Sequence, residues 1–493
     1  MRYSIPVQLG ITTSVAAAVS AAERPNVLFL AVDDWNDMVG AMGCEQVHTP
    51  NLDQLAARGT VFLDAHAPGV YCAPSRTAIM TGLQPYHTGC YTDEPSSFNF
   101  PDHQDIPQRF KAGGYTTAGT GKVYHHMPGY LDRRGFDEWF LWDESMKSNG
   151  WKVDSWTDLA PLPPERPFSD IARYTRWKEF DFYAVPNEQE KQMADTVRAN
   201  WAVDFLKRDH DKPFFLAFGT YAPHKPNYAP QKYFDLYPLE QIELPPIQEN
   251  DLDDLPEEIQ RKLNGRAKRV HNLIEEHGDW KRAIQGYMAC ISYADAMLGR
   301  VLDALEQSPY AENTVVVLWS DNGYHLGEKT WWAKHTLWQR TSHVPFIWAG
   351  PGIPRGAKPD CTVSLIDTCK TLIDLCGLSQ QKELDGKSLV SVFQGLETDM
   401  DRTVVVAESR ESFAVINRNW RLIVRPEGNE LYNRRNDPNE WKNLAGNPEY
   451  ADVEKTLLNQ LPSNPAEQAM GRKNRKLKLV LDGEDYRWVP TGK

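Results

Sequence analysis

Cys72 opens the run Cys72-Ala73-Pro74-Ser75-Arg76, and the following Thr77-Ala78-Ile79-Met80-Thr81-Gly82 reads as a short helix closed by glycine. A nucleophile-sized side chain there stands at a helix N-terminus, where unpaired backbone N–H groups favour an anion. The competing reading is a buried structural thiol, the usual fate of free cysteine. Two polar pairs bear on the choice: Asp33 and Asp34 follow the apolar run 27–32, and Asp321 and Asn322 follow the run 315–319 and Ser320. Adjacent carboxylates at the end of a buried segment repel each other and resist desolvation, and a divalent cation relieves both costs. Three aspartates and an amide form an oxygen-only donor set, which suits Ca²⁺, with Mg²⁺ as the alternative, over zinc. An Asp pair that merely caps a helix is the other explanation. It weakens once a second pair ends a second run.

These residues need a frame that brings distant strand ends together. Continuous apolar runs at 27–32, 214–218, 315–319 and 345–349 alternate with helical stretches, which indicates an α/β fold with a large, mostly parallel sheet sandwiched by helices. Ligands of such sheets sit outside the carboxyl ends of the strands, and Asp33, Asp34, His224, Asp321 and Asn322 all follow predicted strands. Helices are expected over 51–58, 189–208 and 281–307, the last carrying an apolar stripe through Ile284, Met288, Ile291, Ala294, Leu298 and Leu302. Stretches 130–190 and 225–275 are rich in Trp, Pro and charge with little periodicity, and read as long insertions that build a substrate pocket. Alternation over 404–424 around Asn417-Arg418-Asn419 predicts a hairpin, and 429–432 a further strand. The expected organisation is a larger domain over 23–384 and a smaller C-terminal antiparallel-sheet subdomain over 385–493.

Composition narrows the partners. The chain has 493 residues, 41% of them apolar, 16 tryptophans and a formal net charge of −13. That balance argues for a globular protein and against nucleic acid as a partner. It also means that an anionic substrate requires a locally basic pocket. Met1-Arg2, a short apolar stretch and Ser20-Ala21-Ala22 predict a signal peptide over 1–22, hence secreted or periplasmic localisation. No run approaches the length of a membrane span. Seven cysteines are an odd count, so one stands apart from any pairing. Cys369 and Cys376 are two helical turns apart and read as core residues, while Cys44–Cys90 or a pairing through Cys361 stays open.

The run at 72–76 resembles the type I sulfatase signature C-x-P-S-R, whose cysteine is oxidised to Cα-formylglycine, an aldehyde whose hydrate attacks sulfur. From Arg24 to about Leu444 the chain is similar to the sulfatase branch of the alkaline-phosphatase superfamily, and within it to the iduronate-2-sulfatase group. Asp33-Asp34, Thr49-Pro50-Asn51-Leu52-Asp53, Gly121-Lys122-Val123-Tyr124-His125, Pro223-His224-Lys225-Pro226, Ser320-Asp321-Asn322-Gly323 and Trp332-Ala333-Lys334 carry the likeness. The resemblance implies that Asp33, Asp34, Asp321, Asn322 and the formylglycine at Cys72 hold the metal while Arg76 steadies the hydrate. It further implies that Lys122, His224 and Lys334 hold the sulfate and that His125 serves the modified side chain. Many iduronate-type members carry His where Asn322 stands, and an amide remains a competent oxygen ligand. His335, Lys225, Lys329 and His325 are second candidates for substrate contact, and Trp331, Trp332 and Trp338 either stack on sugars or pack. The implied partners are a sulfated saccharide and, during maturation, a formylglycine-generating enzyme. An arylsulfatase of small esters, a phosphoester or phosphonate hydrolase, a choline sulfatase and a non-catalytic glycan-binding protein are the competing functions.

Overall fold

Seven consecutive buried residues, Asn26–Val32, form strand β1. Leu28, Leu30 and Val32 enter one core while Val27, Phe29 and Ala31 enter another. An unbroken apolar run is what a strand requires when both faces of its sheet are covered. The computed structural model describes residues 24–125, 129–140, 167–379, 384–397, 402–482 and 485–492; the expected signal peptide and residues 141–166 of the first insertion lie outside them.

Six further strands complete the sheet: β2 (Gly59–Val61), β3 (Thr116–Gly121), β4 (Glu138–Phe140), β5 (Phe214–Gly219), β6 (Thr314–Ser320) and β7 (Phe346–Ala349). Their spatial order is β2-β7-β6-β1-β5-β3-β4. Val27 pairs with Phe215 on one side and Val315 on the other, both in parallel ladders. β7 runs antiparallel to β6 and β2. The reason lies in the connection: between β6 and β7 the chain forms only the small ladder of His325–Leu326 with Trp332–Ala333 and short turns, without the crossover helix that a parallel return demands.

The expected helices are present with shifted bounds. Helix α1 covers Pro50–Ala57, α2 Cys72–Thr81, α3 Ala194–Leu206 and α4 Lys268–Glu276. The long α5 covers Trp280–Glu306 and packs on one sheet face, and α6 covers Asp367–Leu375 on the other. The 189–208 stretch is broken by Met193, whose extended backbone separates a 3-10 turn, Asn187–Gln192, from α3. Within the second insertion, 225–275, helix Glu257–Lys262 and α4 are joined by a π turn, Leu263–Ala267. The sequence hides them because α4 buries only Val270, His271 and Ile274 among charged neighbours.

The C-terminal strands β8 (Val404–Ala407), β9 (Phe413–Ile416), β10 (Trp420–Arg425) and β11 (Gly428–Asn433) form an antiparallel meander. The predicted turn is real, because Asn417 Oδ1 accepts from the N–H groups of Asn419 at 3.0 Å and Trp420 at 2.9 Å, the short-range bond that makes Asn a turn residue. No disulfide forms among the described residues, so neither a Cys44–Cys90 bridge nor one through Cys361 is present.

Candidate active site

Helix α2 begins at Cys72 itself. Tyr71 before it is extended and supplies no side-chain cap, and all ten helical residues are buried. The uncapped N-terminus faces the ends of β1, β3 and β6, so its amide dipoles add to whatever positive charge collects there.

Position 72 is the meeting point. Its Sγ lies 3.4 Å from Asp33 Oδ1, 3.8 Å from Asp34 Oδ1, 3.7 Å from Lys122 Nζ and 2.8 Å from Lys334 Nζ. Lys122 pairs with Asp33 and Lys334 with Asp34. Asp321 accepts the Asp34 N–H at 3.1 Å and the Arg76 Nε–H at 2.7 Å, and Asn322 Nδ2 donates to Asp34 Oδ1 at 2.8 Å. Strand ends far apart in sequence thus converge on one side chain.

Local backbone geometry explains how. Asp34 sits in the left-handed region (φ 59), and the Tyr287 hydroxyl of α5 holds it there by donating to Asp34 O at 2.6 Å while accepting the Asn36 N–H at 3.0 Å. Gly121 (φ 79) leaves β3 where an added Cβ would strike the Gly219 carbonyl, and that close approach lets Lys122 turn inward. Lys334 stands between two left-handed residues, Ala333 (φ 76) and His335 (φ 72). Arg76 bonds Val32 O at 3.2 Å, Val123 O at 3.1 Å and Asp33 at 3.3 Å, and so ties the strand ends together from beneath.

Electrostatics follow from burial. Although desolvation opposes charge, Asp34, with Asp33 and Asp321, holds the Lys334 ammonium well above its ordinary value, and Asp33 raises that of Lys122. Burial, reinforced by Asp321 and Asp33, pushes the Cys72 thiol well above its usual range. An unmodified thiol here is protonated, hence a poor nucleophile. His224 Nδ1 lies 2.5 Å from the Lys225 carbonyl, so that nitrogen carries a proton, and Nε2 faces Asp34 Oδ2 at 3.6 Å.

The donor set fits a hard cation. Oxygens of Asp33, Asp34 and Asp321 lie with Cys72 Sγ within 4.8 Å of one another. Asp34 Oδ2 and Asn322 Oδ1 are buried and lack a hydrogen-bond donor among the described residues. Orphaned buried oxygens beside clustered carboxylates are what Ca²⁺ or Mg²⁺ satisfies.

The remaining candidates divide. His125 packs edge-on against Tyr130, ring centroids 4.9 Å apart. His335 stacks on Tyr71 at 4.6 Å and, with Lys225, Trp331, Trp332 and Lys334, lines a cavity of about 320 Å³. Lys329 and His325 belong elsewhere: Lys329 bonds Asp251 at 2.8 Å and Glu440 O at 2.6 Å, and His325 meets Thr336 Oγ1 at 2.8 Å. Trp338, which donates to Glu430 at 2.8 Å, is a packing residue. Sequence reasoning missed Tyr287, the cavity residues Trp177 and Arg266, and Lys473, whose Nζ reaches the Tyr71 hydroxyl at 2.9 Å from the C-terminal segment. Of these only Trp177 and Arg266 carried a signal, their place in the insertions.

The sulfatase family model matches residues 25–378, and the C-terminal model of N-sulphoglucosamine sulphohydrolase matches 327–467. A sulfatase of Formosa agariphila is 39% identical, covering 90% of this chain and 87% of its own length. Iduronate 2-sulfatase of Homo sapiens is 32% identical over 71% of this chain, which spans 63% of that protein. The phosphonate monoester hydrolase of Silicibacter pomeroyi shares the fold, with a TM-score of 0.70 at 18% identity over 95% of this chain and 100% of that one. On the family match and the identity to these sulfatases, the chain belongs to the sulfatase family of sulfuric ester hydrolases.

Proposed function

We propose that the chain releases sulfate from a sulfated carbohydrate, in the manner of the iduronate-2-sulfatase group, outside the cytoplasm. The observation that carries this reading is the convergence of Lys122, Lys334 and the carboxylates of Asp33, Asp34 and Asp321 on a buried side chain at a helix N-terminus. Cys72 is read as the precursor of formylglycine, whose hydrate supplies the oxygen nucleophile that the protonated thiol cannot. A cation, Ca²⁺ or in its place Mg²⁺, held by Asp33, Asp34, Asp321, Asn322 and the side chain at 72, supplies positive charge against the sulfuryl oxygens.

The chain's own residues do the rest. Lys122 and Lys334, kept charged by Asp33 and Asp34, bracket position 72 and offer ammonium donors to two sulfate oxygens. Their carboxylate partners fix them before substrate arrives, so little reorganisation is left for the reaction. Arg76 holds Asp33 and Asp321 at the strand ends. His224, with its Nδ1–H anchored on a carbonyl, acts as the imidazolium, carrying a second proton on Nε2 beside Asp34 and passing it to the leaving alkoxide, and His125 takes up a proton when the site is reset. The ester S–O bond breaks, water's oxygen ends on sulfur, and one of its protons leaves with the alcohol.

The test is release of sulfate from sulfated saccharides and from an aryl sulfate, beside release of phosphate and phosphonate, by chain matured with a formylglycine-generating enzyme. Saccharide sulfate should be the fastest substrate, and the peptide containing residue 72 should carry an aldehyde by mass spectrometry. Cys72→Ala, folded by circular dichroism, should lose turnover. Full activity in that variant, or phosphonate cleaved faster than sulfate, would overturn the reading.

A further inference from the structure

We propose that the cavity beside the sulfate cradle binds a second anionic group on the same sugar chain, a carboxylate or a further sulfate, through Lys225 and Arg266. This rests on the reading of position 72 as the sulfate-releasing centre. The cavity of about 320 Å³ has room for a sugar unit. Lys334, with Nζ 2.8 Å from Cys72 Sγ, forms its wall toward the nucleophile, and Trp177, Arg266 and Trp331 form other walls.

The cations of this cavity divide by task. Lys334, with Lys122 behind it, is tied to the aspartates and serves the scissile sulfate. Lys225 has no such tie. It is 7% exposed, its ammonium lies 3.5 Å from the Trp177 ring centroid, and its carboxylate neighbour Glu179 is 3.7 Å away with a side chain 62% exposed. A buried ammonium held by a ring face and a screened carboxylate is under-compensated, and an incoming anion restores what burial removed. Arg266 reaches the same cavity from the π turn Leu263–Ala267, where Gly265 leaves helical geometry. Its planar fork matches carboxylate and sulfate oxygens alike. In a chain with a net charge of −13, two cations beyond those the scissile group uses make the cavity a local reversal of sign. One sulfate does not require them.

The test is calorimetric binding to the full chain carrying Cys72→Ala, so that no turnover intervenes. Three probes are compared: a monosulfated disaccharide with no other charge, the same disaccharide with a uronate carboxylate, and a disulfated disaccharide without a carboxylate. At least one doubly anionic probe should bind about tenfold tighter than the first, and Lys225→Met or Arg266→Gln should each erase most of that advantage, while Lys225→Arg keeps it. The probe that shows the advantage identifies the second group. Equal weakening of all three probes by the variants, or no weakening, overturns the inference. A failure of the sulfatase reading would appear separately, as no sulfate released from any probe by the matured wild-type chain.

Discussion

Two buried charge clusters have matching composition and opposite character. At the strand ends, Asp33, Asp34 and Asp321 meet Arg76, Lys122 and Lys334. Beneath the C-terminal sheet, Asp251, Glu430 and Glu440 meet Lys329, Arg421 and Arg425. In the second cluster a carboxylate such as Glu430 has both oxygens occupied, by Arg425, by Trp338 Nε1 at 2.8 Å and by the Tyr432 hydroxyl at 2.8 Å. In the first, Asp34 Oδ2 and Asn322 Oδ1 have no hydrogen-bond donor among the described residues, Asp34 is backbone-strained, and the lysines point at a third group. Charges that face each other, as Arg421 Nε and Glu440 Oε1 do at 2.6 Å, fix one part of the chain on another, although Arg421 Nη2 too lacks a hydrogen-bond acceptor among the described residues. A network with open valences is prepared for something that arrives.

The largest expected effects come from exchanging these roles. Asp34→Asn keeps the shape and suits a left-handed position, where Asn is tolerated; compared after chelation, its thermal midpoint should fall by less than that of Arg421→Met, because Lys334 keeps Asp33 and Asp321 as neighbours. Sulfate release should nonetheless fall by about 10² to 10³, the range for removing one preorganised charge from a transition-state site. Arg421→Met should do the reverse. It strands Glu440, 2% exposed, without its guanidinium and should cost about 3–5 kcal/mol of stability, while kcat/KM of the folded fraction changes little. Denaturant melts and initial rates on both variants decide the matter; a stability loss in Asp34→Asn as large as in Arg421→Met would erase the distinction.

Open valences also predict linkage to a cation. Chelator treatment should lower both activity and thermal midpoint, and Ca²⁺ should restore both, with stabilisation of about 3 kcal/mol at a hundredfold excess over Kd. The C-terminal cluster has no role in that response, so Arg421→Met should show the same calcium-induced increment above its lower baseline. A midpoint indifferent to chelator would mean that the carboxylates are balanced by the lysines alone.

Much of the first cluster was legible because its chemistry is written in adjacent residues. Asp33-Asp34 and Asp321-Asn322 are short polar pairs at the ends of apolar runs, and a sheet that must bury those runs necessarily collects their ends. Arg76 follows from Cys72 by a single turn of helix. The second cluster was illegible: Arg421 and Glu430 are polar residues in alternating strands, where the pattern predicts exposure, yet both are fully buried. Pairing between strands and the loop at 329–340 reverses that expectation, and no periodicity encodes it. The cavity walls were legible in part: Lys225, Trp331, Trp332, Lys334 and His335 stood among the candidates, whereas Trp177 and Arg266 were foreseen only as members of the insertions. Trp177 and Arg266 lie in stretches whose helices bury few residues, and Lys473 comes from a segment beyond the family pattern. The antiparallel course of β7 was hidden in a connection whose lack of a crossover helix shows only in the fold.

A third buried acid isolates what the cations contribute. Asp105 caps the helix Ile106–Ala112, accepting from the Gln108 N–H at 3.1 Å and the Tyr124 hydroxyl at 2.5 Å. Burial raises its pKa to about 7, a rise that the Tyr124 bond opposes and nearby Asp132 reinforces. Between the ordinary value of 3.8 and about 7 the folded chain therefore holds a proton that the unfolded chain releases. Stability contributed by the protonated form is present at the acid end of this window and is lost as pH rises through it. Asp105→Asn keeps the cap and removes the titration. The variant's free energy of unfolding, from denaturant melts, should rise relative to wild type as pH goes from about 4 to about 7, by a difference on the order of a few kcal/mol at most. Parallel pH profiles for the two proteins would show that Asp105 is ionised in the fold, and that burial with only the more distant Arg134 is cheaper here than the contrast with the strand-end cluster requires.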